Sequence, residues 1–150
     1  MAYEISTTIE IAATPENVWA VLADLASYPE WHPMYQAVTG QLAAGSMLTI
    51  TSTHPTSGRA ITARVKVLTA EPDSELRGVS KLLGRTISER KFRLSSTADG
   101  TSLEQAGTYS GLGGGRGRAM MKVLDRIKDS FTAINEAIKQ QAEARQRASH

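Results

Sequence analysis

Between Gly117 and about Ala144 the apolar residues Met120, Leu124, Ile127, Phe131, Ile134 and Ile138 recur at alternating steps of four and three. That spacing puts them on one face of a single long helix and suits no strand. Lys122, Asp125, Arg126, Lys128, Asp129, Asn135, Glu136 and Lys139 fill the other positions, so the opposite face belongs in water. At the other end of the chain the pattern changes period. From Tyr3 to Ile11, residues Ile5, Thr7, Ile9 and Ile11 lie on one side and Glu4, Ser6, Thr8 and Glu10 on the other, as in a half-buried antiparallel strand. Thr14-Pro15-Glu16 then reads as a helix start, with a capping hydroxyl, a proline at the first helical position and an acid at the positive end of the dipole. Val18, Val21, Leu22 and Leu25, with Trp19 beside them, continue it as a short amphipathic helix of about three turns.

Pro29 and Pro33 in Ser27-Tyr28-Pro29-Glu30-Trp31-His32-Pro33 forbid a long helix, and the aromatic density there predicts a second short helix or turn over the mouth of something apolar. The middle of the chain reads as short strands near 34–39, 46–53, 59–69, 75–82, 86–95 and 102–111. Turn signals separate them at Gly40 and Gly45, Pro55 to Gly58, Glu71 to Ser74, Leu83-Gly84 and Ala98 to Gly100. Most connections have hairpin length, so the expected class is α+β: a curved seven-stranded antiparallel sheet wrapped around the long C-terminal helix, with two short helices after the first strand.

Composition narrows the picture without changing it. With 150 residues, 41% of them hydrophobic, the chain has the material for one core, and a single domain over 1–150 is expected, with a frayed tail from about 143 where the apolar period ends. The absence of cysteine rules out disulfides, thiolate metal sites and cysteine nucleophiles. No run is long and apolar enough for a membrane span, and Glu4 and Glu10 do not suit a leader, so the expected location is cytoplasmic. A net charge of +2 argues against nucleic acid as a partner. The three histidines, His32, His54 and His150, show no metal-site spacing, so no metal and no cofactor are expected.

The segment Thr14-Pro15-Glu16-Asn17-Val18-Trp19, followed by Tyr28-Pro29-Glu30-Trp31-His32-Pro33, resembles the signature of the START-like (SRPBCC) polyketide cyclase/dehydrase and lipid-transport superfamily. Glu75-Leu76-Arg77, Glu89-Arg90-Lys91-Phe92 and Asp99 through Gly111 resemble its closing strands. The resemblance covers almost the whole chain and implies the helix-grip fold, with a deep, mostly apolar cavity between sheet and long helix. Many relatives carry a histidine near Arg90, and a histidine and a glutamate near Gln105 and Gly107. Their absence here removes proton-transfer groups.

Strand parity indicates what faces that cavity. If Phe92 and Leu94 point inward, so does Arg90; if Leu103 does, so do Gln105, Gly107 and Tyr109; if Ile61 and Val65 do, so does Arg59. An arginine on such a row must meet an anion or acceptors, as a ligand anchor or one half of a structural ion pair, unless a bulge turns it away. Tyr109 offers a donor to a ligand carbonyl, or to a backbone partner. His32 offers an acid or base at the mouth, or a residue shaping the turn. Trp31, between two prolines, suits a lid contact, and Met120 and Leu124 lie on the helix stripe that would close the cavity. The glycine run Gly111 to Gly117 matches no phosphate-binding motif and reads as a hinge, with Arg116 and Arg118 near the helix start.

Three functions fit. The first is binding or transport of a small hydrophobic ligand, with aromatic and polyketide-like molecules among the candidates and Trp31, Arg59, Arg90, Gln105, Tyr109, Met120 and Leu124 as candidate contacts. The second is a cyclase, aromatase or dehydratase using the same cavity, with Tyr109, Arg90 and His32 as candidate catalytic groups. The third is a co-chaperone-like interaction module working through its surface. The protein is expected to be a monomer or a homodimer.

Overall fold

The computed structural model describes residues 2–53, 57–82, 84–110 and 118–148. Strand β1 (Ala2–Ile11) leads into helix α1 (Pro15–Ala23), a tight turn at Leu25–Ser27 and the single-turn helix α2 (Tyr28–Trp31). Six strands follow: β2 (Tyr35–Thr39), β3 (Met47–Thr53), β4 (Ala60–Glu71), β5 (Glu75–Leu82), β6 (Arg85–Thr97) and β7 (Gly100–Ser110). Helix α3 (Arg118–Ala148) closes the chain. All strands join one antiparallel sheet in the order β1-β7-β6-β5-β4-β3-β2, a meander whose last strand pairs with the first. The expected α+β architecture is therefore the observed one.

Helix α1 begins as its sequence dictates. The Thr14 hydroxyl accepts from the Asn17 amide at 3.3 Å, Pro15 takes the first helical position, and Val18, Val21 and Leu22 turn inward. These side chains meet Ile11, Leu94, Leu103, Ile134, Ile138 and Ala142 in one buried cluster. This packed end lies where α1 and the C-terminal half of α3 cover β1, β6 and β7. The other end is different. From Met121 to Ser130 no residue of α3 is buried, whereas Phe131, Ile134, Asn135 and Ile138 are. The first turns of the helix therefore lie over a part of the sheet that is not filled.

The C-terminal tail does not fray at 143. The helix runs on to Ala148 because polar contacts replace the apolar stripe. Glu143 Oε2 accepts from the Ala12 amide at 2.9 Å and from Lys139 Nζ at 2.6 Å. Gln146 Oε1 accepts from the Thr14 amide at 3.0 Å and Asn17 Nδ2 at 2.7 Å. The loop entering α1 thus finds acceptors for its free amides on the tail of α3.

Candidate functional site

Strand β6 turns Ser88, Arg90, Phe92 and Leu94 toward the interior, and Leu94 is buried in the packed end. The register with β7 is unbroken from Ser88 to Thr97, so no bulge turns Arg90 away. Across the sheet Arg90 sits between Gly78 on β5 and Gly107 on β7. A Cβ at Gly107 would lie 2.8 Å from both Phe131 Cζ and Tyr109 Cε2, and one at Gly78 would lie 2.7 Å from Val65 Cγ1. Two glycines thus leave the space into which a long, branched cation and its aromatic neighbours fit.

The guanidinium has only neutral partners. Arg90 Nη1 donates to the Tyr35 hydroxyl at 3.0 Å and Nη2 donates to Gln105 Oε1. The Phe131 ring centroid lies 4.9 Å from Arg90 Cζ, within cation–π range. Arg90 Nε is buried and has no hydrogen-bond partner among the described residues. Among the described residues no carboxylate pairs with Arg90, since the acids near it on the sheet bind Arg77, Lys91 and Arg93 instead. The structural ion pair weighed for Arg90 is thus not formed. Burial opposes the charge, but the oxygens of Tyr35, Tyr109 and Tyr28 around it hold its pKa above the ordinary value.

Behind the arginine, a buried amide pair fixes the geometry. Gln105, fully buried, donates from Nε2 to Asn135 Oδ1 at 2.6 Å and to the Phe131 carbonyl at 3.2 Å. Asn135 Nδ2 donates to Thr7 Oγ1 at 2.9 Å, and that hydroxyl donates to the Gln105 carbonyl at 3.2 Å. Both amides are oriented by these bonds, so Gln105 can present only its oxygen to Arg90. The arginine is thereby tied to both β7 and α3.

A cavity of two lobes meets at this residue. The smaller, about 100 Å³, lies toward α2 and β2 and is walled by Leu25, Tyr28, Val38, Leu48, Val67 and Phe92, among others. The larger, about 250 Å³, lies toward α3 and is walled by Met34, Ala63, Tyr109, Ile127, Phe131 and Ile134, with Ser52 and Ser130. Tyr35, Ile50, Val65, Ser80, Ser88 and Arg90 belong to both. Ser80 and Ser88 are cross-strand neighbours. No described residue hydrogen-bonds to the hydroxyls of Ser80, Ser88 or Tyr109. The wall is mostly apolar, with Arg77, Ser52 and Ser130 as the further polar residues beside this group around Arg90, the pattern of a small-molecule site.

The residues expected from sequence fare unevenly. Arg90 and Tyr109 line the cavity. Burial raises the Tyr109 phenol pKa against the pull of Arg90. Gln105 lines neither lobe but holds Arg90 from behind. Arg59 precedes β4, is exposed and reaches neither lobe, because the strand starts one residue later and the hairpin end projects into solvent. Trp31 forms no lid contact: its Nε1 donates to Ser27 Oγ at 3.1 Å and its ring packs on the buried cluster. Leu124 is half-buried and lines neither lobe. The Met120 side chain, the glycine run to Gly117, Arg116 and His54 fall outside the described residues; Arg118 is exposed at the start of α3.

His32 does not fit the acid–base role. It is 8% exposed, and its Nδ1 accepts from the amides of Met34 at 3.1 Å and Tyr35 at 3.0 Å. Burial, with the nearby Arg90 charge, pulls its pKa down to about 3. Its ring stacks on Tyr35 at 3.8 Å and so sets the phenol that faces the cavity. Tyr28, whose hydroxyl donates to the Leu22 carbonyl at 2.5 Å, packs on the same column. Sequence reasoning missed Ser80 and Ser88 as lining residues. Ser88 was within reach, since it stands two positions before Arg90 on the same strand face; Ser80 follows from its register.

Among the described residues, no group of three histidines or acids could hold a metal ion, and no helix is long and apolar enough to cross a membrane. Residues 2–143 match the family described as polyketide cyclase / dehydrase and lipid transport. No curated protein matches the chain. Among solved structures, the Zhui aromatase/cyclase from Streptomyces sp. R1128 is similar over 99% of this chain and 98% of its own, at 17% identity and a TM-score of 0.80. The di-domain ARO/CYC StfQ from the steffimycin biosynthetic pathway aligns over 97% of this chain at 16% identity and a TM-score of 0.79. This chain covers 52% of StfQ, about half its length. A START superfamily protein from Mycobacterium smegmatis aligns over 94% of this chain and 97% of its own, at 16% identity and a TM-score of 0.76. At such identities the likeness is one of fold.

Proposed function

The chain belongs to the polyketide cyclase/dehydrase and lipid-transport family, and from that premise we propose that it binds a small hydrophobic molecule, aromatic or polyketide-like, in the two-lobed cavity. The observation that carries this reading is Arg90: a buried guanidinium whose Nε has no partner among the described residues, at the junction of two mostly apolar lobes. Apolar contact would supply most of the affinity, at about 0.8 kcal/mol per buried methylene. Arg90, Tyr109 and the two serine hydroxyls would fix one oxygen of the guest. Each lobe, about 100 and 250 Å³, falls below the roughly 300–1,000 Å³ usual for ligand sites and only the two together reach its lower end, which favours a compact guest over a long lipid.

A second reading, cyclase- or dehydratase-type turnover, is favoured by one feature. The Tyr109 hydroxyl and Arg90 both face the larger lobe, where together they could stabilise an enolate oxygen. Among the described residues no carboxylate or free imidazole lines either lobe to move protons, which is why binding is the leading reading.

Native mass spectrometry of the purified protein, followed by a thermal-shift screen with aromatic polyketides, flavonoids, sterols and fatty acids, tests the proposal. A guest at a hundred times its Kd adds about 2.7 kcal/mol, a rise in Tm of roughly 5–10 °C for a domain of this size. Arg90→Gln should remove most of that rise. The reading fails if no mass co-purifies and no compound in the panel shifts Tm.

A further inference from the structure

The charge balance around Arg90 says more about the guest than the shape of the cavity does. A guanidinium carries five N–H donors. Here one goes to Tyr35 and one to Gln105, and Nε, buried, has no partner among the described residues. A buried cation normally sits against a carboxylate, because removing it from water without compensation is costly. Arg90 has none among the described residues, and no aspartate or glutamate lines either lobe. Its neighbours are phenols, an amide, two serine hydroxyls and the Phe131 ring. The other cation in the wall, Arg77, is already paired with Glu89, and His32 stays neutral. Among the described residues the wall therefore carries one uncompensated positive charge.

We infer that the guest is a monoanion, an apolar body carrying one carboxylate, enolate or phenolate oxygen that supplies the missing counter-charge at Arg90. This rests on the reading of the cavity as a ligand site and narrows its ligand class. An anion gains the Coulomb attraction of a desolvated site and charge-assisted hydrogen bonds, roughly twice as strong as neutral ones. A neutral isostere leaves the guanidinium uncompensated. Gln105 is what keeps the site cationic. Its amide occupies the position from which a glutamate would neutralise Arg90, and its orientation is locked by Asn135 and the Phe131 carbonyl.

The test is calorimetric titration at pH 7.5 with three matched pairs: benzoate and benzamide, 2-naphthoate and 2-naphthamide, decanoate and decanamide. In every pair that binds, the acid should bind at least tenfold tighter than the amide. Gln105→Glu, nearly isosteric, places a carboxylate on the guanidinium. It should weaken the acids at least tenfold and leave the amides within threefold. Arg90→Lys should keep the preference for acids. Should Gln105→Glu fail to fold, the acid–amide ratio of the unaltered protein still decides the matter. Amides binding as tightly as acids would overturn the anion inference and leave the apolar cavity standing; no binding by any of the six would overturn both.

Discussion

His32 is a titratable group that the fold keeps from titrating. Its ring accepts two backbone N–H bonds and stacks on Tyr35, so protonation would break both bonds as well as charge a buried ring beside Arg90. In the fold it protonates near pH 3; in the unfolded chain it does so near pH 6.5. Between these values the unfolded chain binds the extra proton. The contribution of His32 to stability is therefore complete above about pH 6.5 and falls as the pH drops toward 3, by up to about 1.4 kcal/mol per pH unit. His32→Asn, which retains an acceptor for the two amides, should flatten that slope. Urea titrations at pH 7, 5.5 and 4.5 measure it, and an unchanged slope in the variant would show that another group is responsible. The sequence showed the histidine in its motif but not the two amides that occupy its nitrogen, because those belong to a turn whose shape is set by packing. Arg90 was easier to place. It stands on the same row as Phe92 and Leu94, and period two alone turns it inward.

Helix α3 was legible where its period is apolar and illegible where it is not. From Phe131 to Ile138 the stripe is the buried face, as the spacing requires. Beyond Ala142 the sequence offers only polar residues, which resemble a fraying end. Their partners, the amides of Ala12 and Thr14, lie more than 130 positions away along the chain. Lys139 and the Ala12 amide hold the Glu143 carboxyl below its ordinary pKa, as a hydrogen-bonded acceptor should be. Removing residues 143–150 should cost about 2 kcal/mol, since the four hydrogen bonds accepted by Glu143 and Gln146, exposed or part-buried and worth roughly 0.5 kcal/mol each, are lost and the loop amides are left in water rather than buried. Thermal unfolding would report this as a fall in Tm of about 4–8 °C. A shift below 1 °C would mean that the tail adds nothing to the fold.

At the scale of the molecule, one sheet carries two regimes of packing. Where α1 and the second half of α3 cover it, Leu103 is fully buried in a cluster without lining either lobe of the cavity. Where β2 to β5 extend beyond them, Ile50 and Val65 border both lobes. Leu103→Ala should cost roughly 2–5 kcal/mol because the packed end cannot collapse around the vacancy. Ile50→Ala should cost less than about 1.5 kcal/mol, since that side chain already borders open space. Chemical denaturation of the two variants compares them, and equal costs would mean that the two ends are packed alike. Strand order and hairpin spacing could be read from the chain; the division could not, because both ends use the same residue types and differ only in what lies opposite. The overhanging first half of α3 has a further consequence, and it concerns rates. Between Met121 and Ser130 the helix half-buries Leu124, Ile127 and Ser130 and fully buries no side chain, so lifting it exposes less apolar surface than lifting the half from Phe131 onward and takes less free energy. Openings of that kind recur on microsecond to millisecond timescales. On the proposed reading a guest would come and go quickly through that side, and how long it stayed would be decided by its hold on Arg90 rather than by how seldom the passage opened.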